Sequence, residues 1–242
     1  MKKVIAQNAE ELGKLASAHA ADLINNEITE KGSCRLLLST AASQIETLTN
    51  LQKKDIDWSK VEVFHLDEYI GLPETHGASF VKFLKDRFIA GISPPKATYF
   101  IDGMAPLDEA IAKISFEVLR LPVDVALVGI GENAHIAFND PPADFKTKEA
   151  YRKVELDEAC RRQQLGEGWF PTLDDVPKTA ISMTVYRIMQ SKVIISIVPH
   201  RQKAKAIFDT LNNDPTPDIP ATILKTHPDW TLYLDNNSAS LL

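Results

Sequence analysis

The chain predicts an α/β fold with a mostly parallel sheet covered by helices on both faces. Segments of helical period alternate with short apolar runs along the whole sequence, the pattern of repeated βα units. Several of these runs, such as VALV at 125–128 and KVIISIV at 192–198, are nearly continuously apolar, as strands buried on both faces must be. Each such run then empties into a short polar or glycine-containing turn, and no repeat or low-complexity block interrupts the series.

Taken in order, residues 8–28 place Leu12, Leu15, Ala16, Ala20, Leu23 and Ile24 at helical spacing, with His19 on the same face as a packed histidine. Residues 35–38 read as the first core strand. The small-residue turn Ser39, Thr40, Ala41, Ala42, Ser43 follows, then a helix over 44–51. Residues 61–66 form a second strand that ends in Asp67, Glu68 and Tyr69. Ser79 caps a short amphipathic helix to residue 88. A brief strand over 98–101 and a helix over 107–119 come next. Residues 143–178 lose periodicity and mix basic residues with Trp169 and Phe170, which suggests a lid in place of a linker. The pattern then predicts a helix over 180–189, a strand over 192–198, a helix over 201–211 and a final helix and strand through Trp230.

Composition bounds the function. At 242 residues, 44% hydrophobic and 25% charged, the chain is an ordinary globular domain, read as one unit over 1–242 with the lid at about 143–178. Its net charge of −6 argues against a general nucleic-acid binder, while a local cluster of cations still suits an anionic substrate. Cys34 and Cys160 form no disulfide framework. Lys2 and Lys3 lead into polar and acidic residues without an apolar signal region, and no run approaches the roughly 18 apolar residues of a membrane span. The expectation is a cytoplasmic protein with no membrane partner.

The stretch that organises the chain is DVALVGIGENAHIAFNDPP, residues 124–142. A buried strand passes through Gly129 and Gly131 into the polar cluster Glu132, Asn133, His135, Asn139 and Asp140. Open α/β sheets build sites at the carboxyl ends of their strands. If the strands share one direction, four turns meet there: STAAS, DEY, GENAH and PHRQK. Adjacent carboxylates at Asp67 and Glu68 are candidates for acid–base work. Arg201 and Lys203 in the first turn of a helix are misplaced unless an anion sits beside them.

HLDEYIGLP at 65–73, VGIGENAHIAFNDP at 128–141 and RQKA at 201–204 together resemble the glucosamine-6-phosphate deaminase/isomerase family, related to the 6-phosphogluconolactonases. The resemblance covers nearly the whole chain. It implies a modified Rossmann-like three-layer α/β sandwich without metal or redox cofactor. It implies conversion of an amino-sugar 6-phosphate to fructose 6-phosphate and ammonia. By the same resemblance Asp67 is the base that moves a proton from C2 to C1, and His135 assists ring opening. Asn133 and Asp140 belong to the set that orients His135. Residues 39–43 with Lys203 form the phosphate cradle, Glu68 lies beside it, and Arg161 or Arg162 completes it from the lid. Family members range from monomers to hexamers, so a homo-oligomer stays open.

The chain departs from the family pattern at four of these positions. Asn133 stands where the family has Asp, and an amide stabilises imidazolium less than a carboxylate does. Asp140 stands in place of Glu, with a shorter reach. Ala41 and Ala42 stand in place of glycine, a strain on the turn if it needs positive φ. Three readings follow: a deaminase acting on glucosamine 6-phosphate or galactosamine 6-phosphate, a 6-phosphogluconolactonase, and a non-catalytic sugar-phosphate-binding paralogue. Asp-Glu-Tyr and the Phe-Asn-Asp-Pro continuation favour the first.

Overall fold

The computed structural model describes residues 1–166 and 168–242. Its elements in chain order are β1 (Lys2–Ala6), α1 (Ala9–Lys31), β2 (Cys34–Leu38), α2 (Ile45–Leu51), β3 (Val61–His65), β4 (Asp67–Tyr69), α3 (Phe80–Arg87), β5 (Ala97–Tyr99) and α4 (Leu107–Leu119). There follow β6 (Val125–Leu127), β7 (Tyr151–Glu155), α5 (Glu158–Gly166), β8 (Thr179–Met183), α6 (Val185–Ile188), β9 (Val193–Val198), α7 (Ala204–Asn212) and β10 (Trp230–Asp235). Seven strands form one sheet in the order β1-β10-β9-β6-β2-β3-β5. Every pairing in it is parallel, so all the strands end on one edge.

Alternation along the strands makes the three layers. Leu36 and Leu38 of β2, Val61 and Val63 of β3, and Val125 and Leu127 of β6 face one side. There they pack on Leu12, Ala16, Ala20 and Ile24 of α1 and on Leu48 and Leu51 of α2. Their neighbours Leu37, Phe64 and Ala126 face the other side and pack against Ala110, Ile114 and Val118 of α4 and Ile207 of α7. The middle strand of the seven is β6, the run from which the central stretch was read.

A second sheet, β4-β8-β7, is antiparallel and sits past the carboxyl end of β3. Met183 N–H donates to Leu66 O, and Tyr151 O–H donates to His65 O at 2.7 Å, which fastens this sheet to the first. A smaller apolar cluster of Tyr69, Phe138, Leu156, Cys160, Phe170 and Val176 holds α5 down on it.

Residues 35–38 lie in the first core strand as expected, the fully buried β2; the edge strand β1 before it, with exposed Lys2, Lys3 and Ile5, was not foreseen. The structure corrects three expectations. Residues 180–189 are strand β8 followed by the single turn α6, capped by Thr184, and not one helix. The stretch over 143–178 is less irregular than its periodicity suggested, since it contains β7 and α5. Asp67-Glu68-Tyr69 is itself a strand, β4, and not a loop. No helix among the described residues is long and apolar enough to cross a membrane.

Candidate active site

Because the large sheet is parallel, the turns after β2, β3, β6 and β9 arrive at the same edge. They line one pocket, with Ser39, Thr40, Ala41 and Ser43 from the first turn, Asp67 from the second, Gly129, Gly131 and His135 from the third and Lys203 from the fourth. Phe80, Phe138 and, from α5, Gln163 and Gln164 close its walls. Helix α5 is tied down there: Tyr69 O–H donates to Gln164 Oε1 at 2.8 Å, and Glu132 N–H donates to Gln163 Oε1 at 3.2 Å.

His135 is buried and fixed through Nδ1. Asn133 Oδ1 lies 2.6 Å from Nδ1 and also accepts from His135 N–H at 3.1 Å. Asp140 Oδ1 lies 3.1 Å from the same Nδ1 and accepts from Asn133 Nδ2 at 3.2 Å. Two acceptors around Nδ1 place the proton there, so Nε2 is the nitrogen left to exchange protons with a ligand. The orienting carboxylate therefore reaches the ring despite the shorter side chain, and the charge missing at Asn133 is supplied by Asp140. Burial acts to raise the Asp140 carboxyl, but the contacts with His135, Asn133 and Cys160 outweigh it and hold it below its ordinary value. Gly131 makes this placement possible. A Cβ there would lie 2.5 Å from Nδ1 and closer still to Cε1 and Nε2, so the ring rests directly on glycine backbone.

Asp67 is buried, with 6% of its surface exposed. Burial raises its carboxyl well above the ordinary value; the charges of Glu68 and Asp140 add to this, and the Phe138 N–H opposes it. A carboxylate pushed upward in a pocket has the character of a general base. Glu68, its neighbour, is not in the pocket. Successive side chains on a strand point to opposite faces. Glu68 accepts instead from Ser79 O–H at 2.7 Å, Val81 N–H at 2.9 Å and Phe80 N–H at 3.2 Å, and so caps α3. Its expected place beside the phosphate cradle is corrected to this structural role.

The other end of the pocket suits an anion. Ser39 Oγ is buried there and pairs with no group among the described residues. Ala41 adopts φ 101° and ψ 162°, a region open to glycine but strained for any residue with a Cβ. The expected strain falls on Ala41 alone, since Ala42 has no positive φ. A second cavity continues from this end, walled by Ala41, Ala42, Ser43, Arg162, His200 and Lys203. Of the two arginines expected here, only Arg162 faces it, while also pairing with Glu158 at 2.5 Å. Arg161 spends its guanidinium on the carbonyls of Leu173 and Val176 and is corrected to a brace within its own segment.

His135, Asp140 and Cys160 bring ligand atoms within 4.8 Å of one another. They make a poor metal site: Nδ1 is already held by two acceptors, and burial pushes the Cys160 thiol far up, where it stays protonated. Sequence reading missed Gln163, Gln164 and the packing role of Gly131. No local pattern marks the glutamines. The Gly-x-Gly spacing did mark Gly131, but only the fold shows what rests on it. Asn139, expected in the polar cluster, donates to the carbonyls of Ile136 and Met183 and pins the loop to β8.

Comparison with known proteins places the chain by sequence and by fold. The family model for glucosamine-6-phosphate isomerases/6-phosphogluconolactonase matches residues 7–233. A glucosamine-6-phosphate deaminase of Clostridium botulinum (strain Eklund 17B / Type B) is 35% identical, over 100% of this chain and 97% of that protein. One from Lactobacillus delbrueckii subsp. bulgaricus is 34% identical, with both chains covered completely. The solved structure of a monomeric glucosamine-6-phosphate deaminase superposes with a TM-score of 0.92 at 32% identity, again over 100% of both chains. A 6-phosphogluconolactonase from Shewanella baltica OS155 shares the fold, with a TM-score of 0.81 at 15% identity over 97% of each chain. With the family model matched over residues 7–233 and relatives about a third identical over the whole chain, the chain belongs to the glucosamine-6-phosphate isomerase/6-phosphogluconolactonase family.

Proposed function

We propose that the chain is an amino-sugar-phosphate deaminase/isomerase that converts glucosamine 6-phosphate, or its galactosamine epimer, to the ketose 6-phosphate and ammonia. The observation that carries this reading is the pairing of Asp67 and His135 in one pocket whose far end is lined by Ser43 and Lys203. Lys203 and the Ser43 turn hold the phosphate through charge-assisted hydrogen bonds. His135, with Nδ1 fixed, moves a proton at the ring oxygen through Nε2 and opens the sugar. Asp67 takes the proton from C2 of the open-chain aldehyde; the C–H electron pair forms the C1=C2 double bond while the C1=O π pair moves to the C1 oxygen, which takes up a proton. Asp67 then returns its proton to C1 as the amine lone pair forms the C2 iminium. Water adds to that iminium, and ammonia leaves. Burial favours the proton-holding form of Asp67 between the two transfers. Helix α5, set over the pocket by Gln163 and Gln164, acts as the lid of a single 1–242 domain.

The relatives named above support this reading over a lactonase, since the lactonase likeness is one of fold alone. The test offers glucosamine 6-phosphate, galactosamine 6-phosphate and 6-phosphogluconolactone and measures ammonia and acid release. Ammonia from an amino sugar supports the proposal. Acid from the lactone alone overturns it, and binding without turnover of any of the three identifies a sugar-phosphate-binding paralogue.

A further inference from the structure

His200 opens the turn after β9 with φ 79° and ψ 147°, backbone values that a glycine adopts freely and a histidine adopts only under strain. The surrounding fold holds it there. Its N–H donates to both carboxylate oxygens of Asp235 at 3.2 Å, and its carbonyl accepts from Lys203 N–H at 3.1 Å. Asp235 is itself buried and fixed by Ser238 N–H at 2.7 Å. All these contacts are to the backbone of residue 200, so glycine would make every one of them without strain. The imidazole makes no hydrogen bond to another group among the described residues, so it does not stabilise the turn. It lines the second cavity beside Ser43, Arg162 and Lys203. Ser43 and Lys203 line the first cavity as well, so the two spaces meet at the anion end. Ala41, one of the other non-glycine residues with positive φ, lies on the same junction. Strain of this kind persists only where the surrounding structure enforces it, and it clusters at ligand sites.

We propose that His200 is a ligand-binding residue, whose imidazole donates a hydrogen bond to the phosphoryl group of the substrate where the two cavities meet. With Lys203 and Arg162 it offers three nitrogen-bearing side chains to a dianion, in a cavity that Glu132 also lines. The inference rests on the deaminase reading for its substrate but not for its ligand class, a phosphate monoester.

The experiment compares the unsubstituted protein with His200→Gly, His200→Ala and His200→Gln. It reads Tm, KM and kcat for glucosamine 6-phosphate, and the affinity for inorganic phosphate. His200→Gly is expected to melt about 3 °C or more higher, as strain is released. His200→Ala keeps the strained backbone and melts near the parent. Both raise KM and weaken phosphate binding by about tenfold with a smaller change in kcat, the scale of one lost hydrogen bond to a charged group. His200→Gln, which keeps a donor, recovers part of that loss. KM and phosphate affinity within twofold of the parent in both the Gly and Ala variants would overturn the proposal. A His200→Gly protein that melts no higher overturns the claim of strain held for function. If the unsubstituted protein releases no ammonia, the deaminase reading fails instead, and phosphate affinity alone decides the role of His200.

Discussion

Gly131→Ala isolates the placement of His135 from everything else in the pocket. The backbone at Gly131 is not in the positive-φ region, so alanine fits its conformation, and the perturbation is the methyl group alone. That methyl would lie 2.5 Å from His135 Nδ1 and closer to the two atoms beside it, where ordinary contact begins at 3.4 Å. The ring must retreat by about 1 Å, a displacement that can cost ~100-fold in rate when the group must meet a reacting atom. Retreat also pulls Nδ1 off Asn133 and Asp140, because those bonds already define its position. Overpacking of this kind costs about 1–3 kcal/mol of stability, so the protein is expected to fold and melt a few degrees lower. The assay is ammonia release from glucosamine 6-phosphate, read as kcat and KM. Expected are a fall of about 100-fold in kcat and little change in KM, since the methyl touches no group of the anion end. Gly129→Ala is the control. A Cβ there meets Gln44 Nε2 at 3.3 Å and Ser39 Oγ at 3.8 Å, contacts that a flexible amide relieves. A folded Gly131→Ala protein with kcat within threefold of the parent would refute the role given to the ring.

Asp67→Asn should cut turnover by at least ~100-fold with phosphate affinity unchanged, because a base acts on the transition state and not on the anion. The same substitution should raise stability near neutral pH. The folded carboxyl titrates above its unfolded value, so its stabilising contribution is complete below the unfolded value and is lost as pH rises through the folded one. Denaturant midpoints across pH 4–8 check this, and a variant no more stable than the parent at the upper end contradicts it. His65, fully buried, is held neutral to about 3 by desolvation, and its Nε2 accepts from Ile101 N–H at 2.9 Å. The unfolded chain takes a proton near pH 6.5 that the folded chain refuses. Stability is thus whole above that pH and falls on acidification by something on the order of 4 kcal/mol at pH 3. His65→Gln keeps an acceptor for Ile101 and should flatten that acid limb in a urea-unfolding series. Lys203→Ala should raise KM about 10- to 100-fold, the scale of a lost hydrogen bond to a charged group, and an unchanged KM would remove Lys203 from the cradle.

Most of the architecture was legible because βα alternation and continuous apolar runs are strong signals, and the helix over Leu107–Leu119 was read to the residue. The second sheet was not. Strand β7 carries Arg152, Lys153 and Glu155, of which one is only partly buried and two are exposed, and β4 is three residues long. Such strands are specified by what they pack against, which a single segment does not display. At the candidate site, the turns that the reading chose do line one pocket, and it erred where it took adjacent residues together. Asp67 and Glu68 sit next to each other on a strand, and Arg161 and Arg162 on a helix, so each pair divides between opposite or well-separated faces. That geometry was available from the sequence once the elements were assigned. The reach of Asp140 was not, because it depends on how the 133–140 loop folds back on itself.

The central claim is that Asp67 moves a proton on carbon in a pocket where His135 moves one on oxygen. It is tested most directly by incubating glucosamine 6-phosphate with the protein in deuterium oxide and following the C2 proton by NMR, for the parent and for Asp67→Asn. The account predicts loss of the C2 proton together with ammonia release in the parent and retention of both proton and amine in the variant. Continued C2 exchange in Asp67→Asn, or an untouched C2 proton in a parent that binds the sugar, would contradict it.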